Sequence, residues 1–344
     1  MRSFRTPGRK NDRMGTVIFV ILVLYMAFSV ILAVFNLYYL RQMERQSRRP
    51  MDTDKFRQRL LDALEPAGEK AERRRIRWYV RAGSLGRFKE EMRSFRKENP
   101  ALADAYFKKY AVDYMRLLPA IREAELTERT IYARFVAENG INRAYKSEAF
   151  ARGMIDLMDR SSMFLIQGVL CALASMGMPD AVDETFKVIT ERGYYCYSKN
   201  IAAALMKFSG SFEELLAVLI RYRHTYSVEI QCAILQVLRR QGSVYADEML
   251  ALLKDESEDT EVRIEALRYL LRYPIRPAAD YIASMISGRK ETNWVIVALG
   301  LRLLADFPDP ENRALLEGLA DDPIWYVRQN AAASLEKMKK GARK

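Results

Sequence analysis

The stretch Asp259-Thr260-Glu261-Val262-Arg263-Ile264-Glu265-Ala266-Leu267-Arg268-Tyr269-Leu270 decides the fold. Val262, Ala266, Leu267 and Leu270 recur at helical spacing, and Asp259 stands ahead of them where it can cap free backbone N–H groups. The same order returns in Asp321-Asp322-Pro323-x-Trp325-x-Val327-Arg328-x-x-Ala331-Ala332-x-x-Leu335. Val228 with Cys232-Ala233, and Trp294 with Ala298-Leu299, are further copies. Anchor positions 228, 262, 294 and 327 lie 34, 32 and 33 residues apart, with weaker copies near Gly168 and Ala202. Each copy precedes a second amphipathic stretch, such as 244–254 or 277–287. A lone helix pair cannot bury its apolar face, so the pairs are expected to stack. Helical periodicity continues through residues 53–160, and no segment alternates as a strand would.

These motifs resemble the HEAT repeat family. The resemblance implies an all-α chain with an α-α superhelix, a solenoid, over residues 161–340. Residues 53–160 form a helical collar in this reading, with degenerate repeats as one interpretation. In that family Asp259 and Asp322 would cap first helices, and Arg263 and Arg328 would link neighbouring repeats. The unit at Trp294 departs from the pattern, with Ile296 and no arginine at the matching position. The resemblance also puts the second helices on a concave face. The second stretches (179–192, 211–222, 244–255, 277–287 and 309–322) carry 15 acidic against five basic residues. Such a groove repels phosphates and suits a basic peptide or protein surface.

Ahead of the helical pairs lies Val17–Leu40, VIFVILVLYMAFSVILAVFNLYYL, with 16 Val, Ile, Leu or Phe among its 24 residues and no charge. As a helix it would reach ~36 Å, enough for a hydrocarbon core of ~30 Å. Residues 1–16 form a basic tail and 41–52 a basic juxtamembrane linker, where Arg41, Arg45, Arg48 and Arg49 are candidates for contact with anionic lipid headgroups. The apolar run continues past the Ala27-Phe28-Ser29 stretch, so an uncleaved single-pass anchor is expected in place of a signal sequence. Seven Lys/Arg follow the span within about 20 residues against five before it, a bias toward a cytoplasmic C-terminal domain. Unpaired cysteines and the absence of an N-x-S/T sequon lean the same way. Within the span, Tyr25, Ser29, Ala33 and Asn36 share one helical stripe, a candidate packing surface for a second membrane helix.

The net charge of +12 is uneven: +7 over residues 1–49, +6 over 50–160 and −1 over 161–344. Ten basic residues stand between Arg73 and Lys97 with Ile76, Trp78 and Val80 among them, a pattern open to solvated surface, headgroup contact or nucleic acid. The three cysteines, Cys171, Cys196 and Cys232, lack metal-ligand spacing, and Cys232 falls where matching units carry Ala. The single histidine, His224, sits between two helices and reads as a surface turn residue. Tyr194, Tyr195 and Tyr197 form an aromatic cluster expected to pack between repeats, with a contact surface as the alternative. No P-loop, G-x-G-x-x-G or G-x-S-x-G element is present. The expectation is therefore a non-enzymatic, membrane-anchored scaffold or adaptor, without metal, cofactor or small-molecule substrate. Its partner would be another protein, with an integral membrane enzyme such as a glycosyltransferase as one candidate. The alternatives are a HEAT-like enzyme or nucleic-acid-binding solenoid, of the kind seen in alkylpurine DNA glycosylases and bilin lyases, and an anionic-membrane sensor. The acidic second stretches argue against nucleic acid.

Overall fold

A computed structural model describes residues 19–37, 53–81, 83–288 and 293–341. Among the described residues there are 19 helices, one short 3-10 turn and no strand. Packing divides the chain into two units, Met1–Arg59 and Leu60–Lys344. The first contains α1 (Phe19–Leu37), whose mean hydropathy of 2.6 and length of 19 residues are enough to cross a membrane. All of α1 is exposed within the structure.

The unit from Leu60 to Lys344 is continuous, so the change of pattern near residue 160 is not a break in packing. Its first part holds α3 (Pro66–Arg81), α4 (Leu85–Glu98), α5 (Pro100–Met115) and α7 (Leu126–Asn139), after α2 (Thr53–Leu64) and with α6 (Leu118–Arg122) between α5 and α7. These helices meet around aromatic side chains. Tyr79 stacks on Phe88 at 4.7 Å and Tyr114 lies 4.8 Å from Phe135. Glu72 is buried among them and would be costly without partners. Tyr106 supplies one, its hydroxyl donating to Glu72 Oε1 at 2.8 Å, and Arg75 another at 2.5 Å. Tyr106 and Tyr114 hydroxyls then bond each other at 2.9 Å. Burial holds the Tyr106 hydroxyl well above its usual pKa, which keeps it a neutral donor.

Beyond α7 come α8 (Glu148–Ile155), α9 (Met163–Met176), α10 (Pro179–Glu191), α11 (Ser198–Leu205), α12 (Phe212–Tyr222), α13 (Val228–Gln241), α14 (Ala246–Lys254), α15 (Thr260–Arg272), α16 (Arg276–Ser287), α17 (Trp294–Leu304), α18 (Pro310–Gly318) and α19 (Trp325–Gly341). From α7 to α19 each odd-numbered helix packs on the next odd-numbered one. Small residues permit it: a Cβ on Gly168 of α9 would stand 3.2 Å from Ala133 Cβ of α7. Gly300 of α17 receives Ile282 of α16 as closely, at 2.8 Å from where a Cβ would lie. Polar contacts cross the same row. Gln236 on α13 donates to Ser198 Oγ on α11 at 3.2 Å and to Glu265 Oε1 on α15 at 3.3 Å. Arg239 reaches Glu265 Oε2 at 3.5 Å, and Arg268 pairs with its other oxygen, so this buried carboxylate is neutralised from two helices. Several of these cross-links span close to the repeat length, such as Ser209 to Ser175 and Tyr273 to Arg239, each 34 residues apart.

The expectation for the loop tyrosines changes. Tyr195 and Tyr197 are 55% and 53% exposed and meet edge to face at 5.1 Å, so they are a surface pair and not inter-repeat packing. They lie in the loop entering α11, and only Cys196 between them turns inward, at 1% exposure. His224 is exposed in the 3-10 turn Arg223–Thr225, as expected.

Two measurements test this packing. Gly177 ends α9 at φ +67°, and a Cβ there would stand 2.7 Å from the Gly210 backbone nitrogen. Gly177→Ala is expected to cost about 1–3 kcal/mol or more in chemical denaturation, from left-handed strain and a backbone clash. Burial raises the thiol pKa of Cys196 to about 11 and of Cys232 to about 12, and raises that of half-buried Cys171 as well. At pH 8 the native protein should therefore react slowly with iodoacetamide at all three, and fully only after unfolding.

Candidate binding cleft

A polar cleft forms where three even-numbered helices begin. The N-termini of α8, α10 and α12 open on one cleft of about 500 Å³, lined by Lys146, Glu148, Arg152, Asp180, Glu184 and Glu214 among others. Each helix start has a local cause. Ser147 caps α8 by accepting from the Phe150 N–H at 3.3 Å, and Ser211 caps α12 by accepting from Glu214 N–H at 3.2 Å. Pro179 occupies the first turn of α10, where a missing N–H costs nothing.

The floor of the cleft is held by loop-to-loop bonds. Asn142 is buried at φ +74°, and its side chain both accepts from Ser147 N–H at 2.8 Å and donates to the Ser147 carbonyl at 3.1 Å. Ser209 Oγ donates to the Ser175 carbonyl at 2.7 Å and Ser209 N–H to the Ala174 carbonyl at 3.1 Å. With Gly177 lying against Gly210, these bonds bring the start of α10 beside the start of α12.

Four carboxylates line the cleft against two cations. Glu148 and Asp180 occupy first turns, as Glu214 does on α12, at the positive ends of the helix dipoles. Arg152 Nε lies 3.7 Å from Glu184 Oε1, joining α8 to α10 across the cleft and leaving the other acids in excess. Chemically the site can accept hydrogen bonds from cationic side chains. Among the described residues no group of three or more His, Cys, Asp or Glu is placed to hold a metal ion.

The residues singled out in the sequence lie elsewhere. Tyr25, Ser29, Ala33 and Asn36 are all exposed on α1, within an arc of about 80° at 100° per residue. Arg41, Arg45, Arg48 and Arg49 lie outside the described residues, as do the ends of the Val17–Leu40 span. Asp259 caps α15, its Oδ1 accepting from Glu261 N–H at 2.8 Å. Arg263 donates to the Leu253 carbonyl at the end of α14, 3.2 Å away. Asp322 Oδ1 accepts from Ile324 N–H at 2.8 Å, and Arg328 donates to the carbonyls of Asp322 and Pro323 at 2.6 and 3.0 Å. Arg328 therefore secures the turn ahead of its own helix. In the departing unit Asn293 takes the cap position of α17, accepting from Val295 N–H at 2.9 Å.

The charge count of the second helices anticipates an acidic surface, but not that Glu148, Asp180, Glu184 and Glu214 share one cleft. Ser147 and Ser211 as caps and Pro179 in a first turn set the three helix starts; nothing in their spacing says that the starts converge. A second surface went unsignalled: Trp294 stacks on Tyr326 at 4.9 Å, and Trp325 meets Tyr326 at 4.8 Å, all three partly exposed. Comparison with family models, with curated proteins and with solved structures finds no match to this chain.

Proposed function

We propose that this chain is a single-pass, membrane-anchored scaffold of stacked HEAT-like helix pairs, which binds a protein partner through a basic segment. The observation that carries the reading is the cleft at the starts of α8, α10 and α12, with four carboxylates against two cations. Lys- or Arg-bearing chain would be drawn to it, whereas nucleic acid would be repelled. The row of odd-numbered helices supports the solenoid part of the reading, because every pair rests on its neighbours and the even-numbered helices are left to present a surface. The hydropathy and length of α1 support the anchor. In this reading the domain is cytoplasmic, and the Tyr25, Ser29, Ala33 and Asn36 face of α1 packs against a helix of an integral membrane protein.

The cleft reading predicts a charge-selective affinity. A Lys/Arg-rich peptide should bind the full-length protein in nanodiscs more tightly than its Glu-substituted counterpart. Combining Asp180→Asn, Glu184→Gln and Glu214→Gln should weaken that binding about tenfold or more, at about 0.5–1.5 kcal/mol per lost contact. Equal binding by wild type and triple variant in calorimetry would sink the cleft as the site. The anchor reading predicts that a cysteine at Ser29 or Asn36 crosslinks to a protein in native membranes, and that reporter fusions place the C-terminus in the cytoplasm. Crosslinks to lipid alone would remove the helix partner, and a reporter active only outside would reverse the orientation.

A further inference from the structure

We infer that α3 carries a second membrane-contact surface, specific for an anionic bilayer, with Trp78 as its interfacial anchor. The helix is divided sharply. Glu72, Ile76 and Tyr79 are buried on one side, while Lys70, Arg74, Arg77 and Trp78 are exposed on the other. At 100° per residue the four fall within an arc of about 100°, a single stripe. Arg73 and Arg75, the other cations of α3 with described side chains, are engaged. Arg73 pairs with Glu69 at 2.6 Å and Asp113 at 3.4 Å, and Arg75 pairs with buried Glu72 at 2.5 Å. Both acids of α3 are consumed by these pairs. Lys70, Arg74 and Arg77 make no ion pair among the described residues. Trp78 borders them at one edge of the arc, 55% exposed, with its ring 6.5 Å from Tyr79.

An unpaired cationic row bordered by one exposed tryptophan fits a bilayer of negative surface charge. Tryptophan favours the headgroup region, where its ring is apolar and its N–H meets water. Lysine and arginine can lay their stems on the same boundary and keep their charges in the headgroups. Each cation held there raises partitioning roughly fivefold. The inference rests on the anchor reading of α1 for its local concentration: residues 38–65 join the two helices, so insertion of α1 keeps α3 close to one bilayer. A single stacking residue on a helix face offers a nucleic-acid strand little, since such sites align several aromatic platforms along a groove.

The test uses the full chain reconstituted in vesicles of phosphatidylcholine alone or mixed with phosphatidylglycerol. Trp294→Phe and Trp325→Phe leave Trp78 as the only tryptophan, because the chain has three. With brominated lipid present, Trp78 emission should shift to the blue and be quenched in the anionic vesicles and much less in the neutral ones. Arg74→Glu with Arg77→Glu should lower the bound fraction by about 25-fold in equilibrium constant or more. If that variant still resists carbonate extraction while losing quenching, the surface has failed with the anchor intact, which supports the inference. Release of the wild type by carbonate counts against the anchor alone. Equal quenching in both lipids, or quenching unchanged in the double variant, overturns the inference. A larger shift on adding an RNA oligonucleotide than on adding anionic lipid also overturns it and assigns the face to nucleic acid.

Discussion

The constraint beneath everything from α7 to α19 is that no helix pair can bury its own apolar face. Val262, Ala266 and Leu267 of α15 are fully buried because α13 and α17 stand on either side of it. Burying a Val or Leu side chain contributes about 1.5–3 kcal/mol, so each pair depends on neighbours for most of its stability. That dependence selects small residues at the contacts, as at Gly168 and Gly300, where any Cβ would strike the adjoining helix. It also explains why polar groups inside the row are bonded across helices. Glu265 is tolerable because Gln236 of α13 and Arg268 of its own helix bond Oε1, while Arg239 of α13 supplies a cation 3.5 Å from Oε2, which makes no hydrogen bond.

The helices ahead of this row solve the same problem differently. Between α3 and α7 the core is aromatic, and its one buried carboxylate, Glu72, is held by a tyrosine hydroxyl chain. Aromatic side chains fill more volume per residue than the alanines of the row, so helices here need not approach as closely. The packing nevertheless continues into the row without a break, through α7 resting on α9. The surface consequences also differ. Ion pairs occupy four of the five cations of α4 but only Arg73 and Arg75 among the described side chains of α3, which leaves the stripe through Arg74 and Arg77 distinct from its surroundings.

How much of this was legible depends on whether a signal is local. The start of α15 was readable because its cap lies within a few residues: Asp259 bonds the N–H two positions ahead, whereas Asn293 and Ser211, which bond N–H groups two and three positions ahead, were not read as caps. The second stretches placed at 179–192 and 211–222 correspond to α10 and α12 to within a residue or two. Tyr195 and Tyr197 misled, since aromatic residues beside an apolar helix suggest burial; in the loop before α11 Cys196 is turned inward and these two rings are exposed, while Tyr194 is half-buried. The cleft was half legible. Its acidity is a sum over sequence, whereas its location requires Gly177 to touch Gly210 and Asn142 to brace Ser147.

The sequence by itself determined an all-helical chain with a period near 33 residues, an N-terminal helix apolar enough to cross a membrane, and a charge gradient that is basic near that helix. Periodicity, caps and hydropathy act over one or a few turns, and a single chain reads them without knowing its neighbours. Tertiary structure alone decided which charges remain unpaired and which carboxylates meet. Arg73 and Arg77 are alike in sequence, but only Arg73 finds Asp113 on α5. Glu148, Asp180 and Glu214 are far apart along the chain and become one surface because the starts of α8, α10 and α12 are packed together. Such pairings depend on distances between helices, and those distances are set by the side chains that fill the space between them.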